Sequence, residues 1–498
     1  MLSRAQRLKL NTAASFLNQL VNIACGFILP VLILESFGSV VNGLVSSISQ
    51  FLSFISLLEL GMGAVVTSAL YKPLADSDTR QISKIFVSAS KFFKQLAIGL
   101  LGYVIILMVI YPQLVAEEFD YAFTVMLIAC MAISMFAQYY FGIVNTMLLA
   151  ADQRSYVQSI INVVTQILNV VACVILINRG CGIHIVKLAT SLFFLLRPLG
   201  LLLYVEKHYA LDKTVKYDTE PIAQKWNGIA QHITAVVLNN TDVVILTCMS
   251  TLANVSVYAV YNLVVSGVKQ LVFSLMDGVQ ALLGELLAKR EYAKLNEVYG
   301  WTEWTIHTGS VIIWGCTAAL IVPFVQVYTR SITDVSYIVP FFALLISGAH
   351  FCHCIRQSYY MLVKAAGDYK QTQNNQIITA VMNIVISILG VQFYGLAGVA
   401  AGTLIAMLYQ TVWMAKYVAK NIIDRDPYVY VKQLLVDCLG LILIYSLTYC
   451  FELHDISYFS WNILAAETVL IAIIEIIFIN FIFYPQYIKK LCKKIIGK

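Results

Sequence analysis

Apolar windows of about 20 residues recur along the whole of this 498-residue chain. Each has the length a helix needs to cross about 30 Å of hydrocarbon at about 1.5 Å per residue. Fourteen can be placed. They lie near 13–34, 40–70, 93–112, 121–149, 156–178 and 183–205, then near 228–250, 254–287, 303–328, 335–363, 373–394 and 396–418, with a last pair near 431–451 and 461–484. The 60% apolar share against 12% charged residues excludes an ordinary soluble domain, so the expected fold is an all-α polytopic membrane protein of about 14 transmembrane helices. Arg4, Arg7 and Lys9 before an apolar run resemble a signal peptide, but no small-residue cleavage site follows and the first window is read as an uncleaved span. Most of the 11 cysteines sit inside apolar windows, where they pack as small hydrophobes, and no disulfide is expected.

The windows repeat. Met147 to Val171, MLLAADQRSYVQSIINVVTQILNVV, returns without a gap as Met361 to Val385, MLVKAAGDYKQTQNNQIITAVMNIV. Met147 matches Met361, Ala151 matches Ala365, Thr165 matches Thr379 and Asn169 matches Asn383. Each copy is the end of one helix, a charged turn and the start of the next, so the repeated unit is a lobe of several helices. Such repeats build transporters whose binding site lies between the halves. The expected organisation is a six-helix lobe over 1–209, a cytoplasmic linker over 210–226, a second six-helix lobe over 227–420, and two extra spans with a basic tail over 421–498.

Charge orients the spans. With both termini cytoplasmic, all but six of the 33 Lys and Arg fall in the cytoplasmic segments. Arg179, Lys187 and Arg330 fall outside, and Arg197, Lys269 and Arg356 fall within spans. This is the positive-inside pattern. The basic tail, Lys489, Lys490, Lys493, Lys494 and Lys498, then meets anionic headgroups and membrane lipids, not nucleic acid.

No loop is long enough to be a catalytic domain, the longest running from Glu206 to Lys225. The chain is therefore read as no enzyme, and its function must lie among polar residues within the spans, which are costly in lipid. These form stripes at helical spacing. Asn11, Ser15, Asn18, Asn22 and Gly26 make one, and Asn42, Ser46, Ser49, Ser53 and Ser56 another. Gln158, Asn162, Thr165, Asn169 and Cys173 correspond in the second copy to Thr372, Gln376, Thr379, Asn383 and Ser387. Span seven carries Gln231, Asn239 and Asp242, and span eight Asn262, Ser266, Lys269, Asp277 and Gln280. One such stripe is ordinarily a helix-packing face; six on corresponding helices suit a shared water-filled cavity better.

Charged residues inside spans carry the chemistry. Arg197, Lys269 and Arg356 each cost about 3 kcal/mol at a helix centre, so an anionic substrate or an internal carboxylate must compensate them. Guanidinium groups grip phosphate oxygens bidentately. Substrate contact is expected at Lys269, Arg356, Arg197, Asn239 and Gln231, against the alternative that Glu59, Asp242, Asp277 or Glu285 pairs with the cations. Glu59, Asp242 and Asp277 are candidates to bind a coupling proton or sodium ion. No metal centre or cofactor is expected. His350, Cys352, His353 and Cys354 lack companion ligands, Asp424-Arg425-Asp426 sits on a short turn without a catalytic fold, and the Asn239-Asn240-Thr241 sequon is buried in span seven.

Two stretches carry a family resemblance: Leu57-Leu58-Glu59-Leu60-Gly61-Met62-Gly63 through Leu70-Tyr71-Lys72-Pro73-Leu74-Ala75-Asp76, and Val237-Leu238-Asn239-Asn240-Thr241-Asp242. They resemble bacterial polysaccharide flippases, the Wzx-type members of the multidrug/oligosaccharidyl-lipid/polysaccharide exporter (MOP) superfamily. The resemblance implies two MATE-like six-helix lobes with two added helices. It also implies transport of an undecaprenyl-diphosphate-linked oligosaccharide across the bacterial cytoplasmic membrane for surface polysaccharide biosynthesis, by alternating access, with a polysaccharide polymerase as a partner. The alternatives are a cation-coupled multidrug or metabolite exporter of the same fold, and a lipid II flippase.

Overall fold

Glycine decides where the longest helices turn. In the computed structural model, which describes residues 4–496 apart from 60, 218, 223–228, 275, 427, 450 and 452, α1 (Arg4–Ser53) and α13 (Tyr369–Asn421) are 50 and 53 residues long. Each is over twice the length of one crossing. Each contains one glycine of positive φ, Gly38 at 83° and Gly395 at 53°, a conformation that side chains with a Cβ disfavour. Each is therefore two spans across a bend, and windows 1 and 2, like 11 and 12, need no outer loop between them. The other helices are α2 (Met62–Ala75), α3 (Thr79–Leu114), α4 (Tyr121–Ala137), α5 (Ile143–Ala151), α6 (Ser155–Asn178), α7 (Ile183–His208), α8 (Ile229–Met249), α9 (Leu252–Ser274), α10 (Asp277–Ala288), α11 (Tyr292–Tyr328), α12 (Pro340–Ala366), α14 (Tyr428–Thr448), α15 (Tyr458–Phe483) and α16 (Pro485–Ile496). No strand occurs among the described residues.

Ten helices among the described residues are long and apolar enough to cross a membrane, and α8 makes an eleventh if its bent pair is one span. With α1 and α13 counted twice and α12 of spanning length at 27 residues, the structure is compatible with the fourteen spans expected. Window two is not one continuous helix. Its α-helix gives way to a 3₁₀ turn over Phe54–Glu59 and resumes at Met62. Window eight likewise breaks between α9 and α10. The starts of α2 and α10, α3 and α11, and α6 and α13 are separated, within a residue, by the spacing of the sequence repeat.

The chain divides into two compact units, Met1–Val236 and Val237–Lys498. In the first, α6 packs against α1 and α7, α4 against α3 and α7, and α2 against α3 and α5. A π-turn over Gln138–Gly142 joins α4 to α5. At the ends of α1, α5 and α7, Asp152 gathers Arg7 at 3.2 Å, Arg154 at 2.8 Å and the Tyr209 hydroxyl at 2.5 Å. Burial and the bond to Asp152 hold the Tyr209 phenol above its usual range, so it stays a donor.

In the second unit the two halves of α13 lie back to back. A Cβ on Gly398 would fall 2.0 Å from the Gly390 carbonyl oxygen, and one on Gly402 2.3 Å from Ser387 Oγ, so only a missing side chain permits this approach. Helix α11 is the hub, packing against α12, α14 and α15. The surroundings of this hub are polar at one end. His307 Nδ1 lies 2.5 Å from Asp437 Oδ2, His307 Nε2 lies 3.1 Å from the Tyr359 hydroxyl, and Arg425 donates to Glu303 at 2.7 Å. Beyond α15 the basic tail continues as α16, whose Tyr487 stacks on Trp304 and whose Lys490 pairs with Glu297 at 3.1 Å.

Candidate functional site

Two of the three intramembrane cations, Arg197 and Arg356, are held by neutral groups. In the first unit Arg197, on α7, donates from Nε to Thr165 Oγ1 at 2.9 Å and from Nη2 to Gln166 Oε1 at 2.5 Å, both on α6, and its guanidinium stands 3.8 Å over the Phe194 ring. In the second unit Arg356, on α12 and only 7% exposed, donates from Nη1 to Gln410 Oε1 at 2.6 Å. Gln410 Nε2 in turn donates to Gln376 Oε1 at 2.7 Å. Arg356 Nε has no partner. Lys269, on α9, lies within electrostatic range of Arg356, His350 and His353. Among the described residues no carboxylate lies within ion-pair distance of any of the three.

Three of the four acids proposed to neutralise them, Glu59, Glu285 and Asp242, are engaged elsewhere. Glu59, at the end of the 3₁₀ break, accepts the Tyr139 hydroxyl proton. Glu285 pairs at 2.5 Å with Lys289 on the exposed face of α10. Asp242, 5% exposed on α8, accepts at Oδ2 from the Tyr258 hydroxyl at 3.0 Å and from Thr403 Oγ1 at 2.8 Å. Asn383 Nδ2 donates to Thr403 Oγ1 at 2.9 Å, while Asp242 Oδ1 and Asn383 Oδ1 have no partner. A buried carboxylate, an amide oxygen and a hydroxyl drawn from α8 and both halves of α13 form a hard-oxygen set suited to a proton or a small monovalent cation. The side chains of Gln231, Asn239 and Asp277 lie outside the described residues.

Two readings need correction. Three of the five stripe residues on α6 and all five of the copy on α13 are buried and do not line an open cavity, while Gln158 and Asn162 are part-buried. Thr165, Asn169 and Cys173 are buried, as are Thr372, Gln376, Thr379, Asn383 and Ser387, and Ser387 donates to the Val399 carbonyl at 3.2 Å across the α13 bend. These stripes hold each unit together, because a hydrogen-bonding side chain between helices in lipid is best satisfied by its neighbour. Ser46, Ser53 and Ser56 are only part-buried and Ser49 is exposed. Lys187, read as an outer-loop residue, is the second cation of the first unit's interior, buried on α7 beside Cys173.

Sequence reasoning missed Tyr139, Tyr258, Thr403 and Gln410, whose importance comes from contacts across helices. It also missed Glu303, His307 and Asp437. Glu303 and His307 stand one turn apart inside a span, which was a legible signal.

No family model matches the chain, and no curated protein matches it. Solved structures do. The lipid II flippase MurJ in an inward closed conformation superposes with a TM-score of 0.72 at 16% identity, covering 96% of this chain and 99% of that one. An inward-facing multidrug resistance MATE family transporter of the MOP superfamily gives 0.60 at 15% identity, covering 81% and 95%. The Vibrio cholerae MATE transporter VcmN in its bent form gives 0.54 at 12%, covering 83% and 98%. At these identities the likeness establishes the fold.

Proposed function

We propose that this chain, folded like MurJ and the MATE transporters, is a flippase that moves undecaprenyl-diphosphate-linked oligosaccharide units across the bacterial cytoplasmic membrane for surface polysaccharide synthesis, with both termini cytoplasmic. One observation carries the reading: Arg197, Lys269 and Arg356 lie within spans with no carboxylate partner among the described residues. Guanidinium groups held by neutral amides and hydroxyls keep their charge for a ligand, and phosphate oxygens are the anionic groups that a guanidinium or an ammonium suits in either unit. Burying a diphosphate and sugars in hydrocarbon is what blocks unassisted crossing; fixed cations and amides lower that barrier. The isoprenoid tail needs no such help and stays in lipid.

Asp242 supplies the driving step in this reading. Loading its carboxylate with a proton or sodium ion removes a buried negative charge among α8, α9 and α13, so an ion gradient biases the arrangement of those helices. Glu59, bonded to Tyr139, is a second candidate in the first unit, and Asp277 a third. Alternating access follows from such ion-dependent states. A polymerase that consumes the delivered units is the expected partner.

A second reading, flipping of lipid II, is favoured by the near-complete overlap with MurJ and uses the same anion chemistry. The deciding experiment depletes the protein in its host, labels lipid-linked oligosaccharides and scores their leaflet. Repeat units accumulating on the cytoplasmic face with loss of surface polymer support the proposal. Accumulating lipid II supports the second reading. Unchanged intermediates with new sensitivity to cationic compounds overturn both in favour of a drug exporter.

A further inference from the structure

A cavity of about 510 Å³ opens on the side of the first unit, between α3, the π-turn, α5 and α7. Its chemistry is graded. Lys91 and Lys94 stand exposed at one end, and Lys94 lies 5.3 Å over the Tyr140 ring. Neither lysine is ion-paired among the described residues, whereas the acid that shares the cavity, Glu206, is neutralised by Lys213 at 2.5 Å. From Lys94 the outer face of α3 continues as an exposed apolar track through Ile98, Leu101 and Ile105.

The π-turn adds a specific polar group. It turns consecutive rings apart, Tyr139 to the buried side and onto Glu59, and Tyr140 to Lys94. π-turns recur at functional sites for this reason. The Asn145 side chain donates from Nδ2 to the Phe141 carbonyl at 2.7 Å. That leaves Asn145 Oδ1, on a residue only 2% exposed that lines the cavity, without a donor. A buried acceptor without a donor is destabilising, and a hydroxyl bound at this wall of the cavity is the group that satisfies it.

We propose that this cavity binds an anionic phospholipid with a hydroxylated headgroup, of the phosphatidylglycerol class, from the leaflet at the cytoplasmic end of α3. Its phosphate sits at Lys91 and Lys94, its headgroup hydroxyl donates to Asn145 Oδ1, and an acyl chain follows Ile98, Leu101 and Ile105. The occupant touches Tyr139, whose hydroxyl bonds Glu59, so the lipid lies one hydrogen bond away from a candidate ion-coupling group. The inference rests on the membrane topology and not on the identity of the transported substrate.

The test is native mass spectrometry of the purified full-length protein, titrated with phosphatidylglycerol, phosphatidylcholine, phosphatidylethanol and undecaprenyl diphosphate. Phosphatidylethanol carries the charge of phosphatidylglycerol without the headgroup hydroxyl. Phosphatidylglycerol is expected to be retained about tenfold over phosphatidylcholine, and more strongly than phosphatidylethanol. The exposed pair Lys91→Glu/Lys94→Glu should abolish that preference, while Lys289→Glu/Lys294→Glu should keep it. Equal retention of all lipids, or a preference that survives Lys91→Glu/Lys94→Glu, overturns the site. Equal binding of phosphatidylethanol overturns the role of Asn145, and stronger retention of undecaprenyl diphosphate at the same lysines makes the cavity a substrate site instead.

Discussion

Arg356 shows how a charge is kept available inside a membrane protein. Gln410 and Gln376 pass a hydrogen bond from α12 through both halves of α13, so the guanidinium is oriented without being neutralised. Arg356→Ala is expected to lower flipping in proteoliposomes by about tenfold or more, with the protein still inserted. Arg356→Lys should recover only part of that, because an ammonium cannot reach Gln410 and a phosphate with the same planar fork. Full activity in both variants would remove the cation from the mechanism. Asp242 makes the complementary case. Asp242→Asn keeps the shape and can still meet Tyr258 and Thr403, yet it lacks the charge that a proton or sodium ion would titrate. Transport by that variant should no longer respond to an imposed sodium or proton gradient, and an unchanged response would relieve Asp242 of the coupling role. Both residues were legible as intramembrane charges; their neutral partners were not, since Gln410 and Thr403 read in sequence as ordinary polar positions on an apolar helix.

At the scale of elements, polar stripes and glycines do the packing. The stripe from Thr372 to Ser387 stood out at helical spacing, and its burial against the second half of α13 shows that periodicity identifies a face without saying what covers it. Gly398 carries the sharpest consequence. A methyl group there meets backbone, which cannot rotate away, so Gly398→Ala should part the two halves of α13 and cut the yield of folded protein. Gly267→Ala on α9, with nothing within 4 Å of the added carbon, should change the melting temperature little and raise helix propensity. Equal melting temperatures for the two variants would contradict the close approach. The breaks in windows two and eight escaped the hydropathy reading, because a 3₁₀ turn such as Phe54–Glu59 is as apolar as the helix around it.

For the whole molecule, the topology proposed from the count of crossings and the bias of Lys and Arg puts the N-terminus, the Glu206–Lys225 segment and the basic tail on the cytoplasmic side. A fluorescent reporter fused after Lys498 should be active in the cytoplasm, and a phosphatase active only outside should work when inserted at Gly180. The opposite pattern would invert every assignment of leaflet made above. Composition, window length, the repeat and the charge bias are additive along the chain, and they were enough by themselves to determine a polytopic helical protein with a duplicated core and two added spans. Which cations lack a carboxylate, that Lys187 faces inward, that α6 and α13 bury most of their stripes, and that Tyr139, Asp242 and Asn145 stand where they do were decided only by tertiary structure. Those facts depend on the rotation of each helix about its axis and on partners up to 161 residues away, and the order of residues along one helix carries neither.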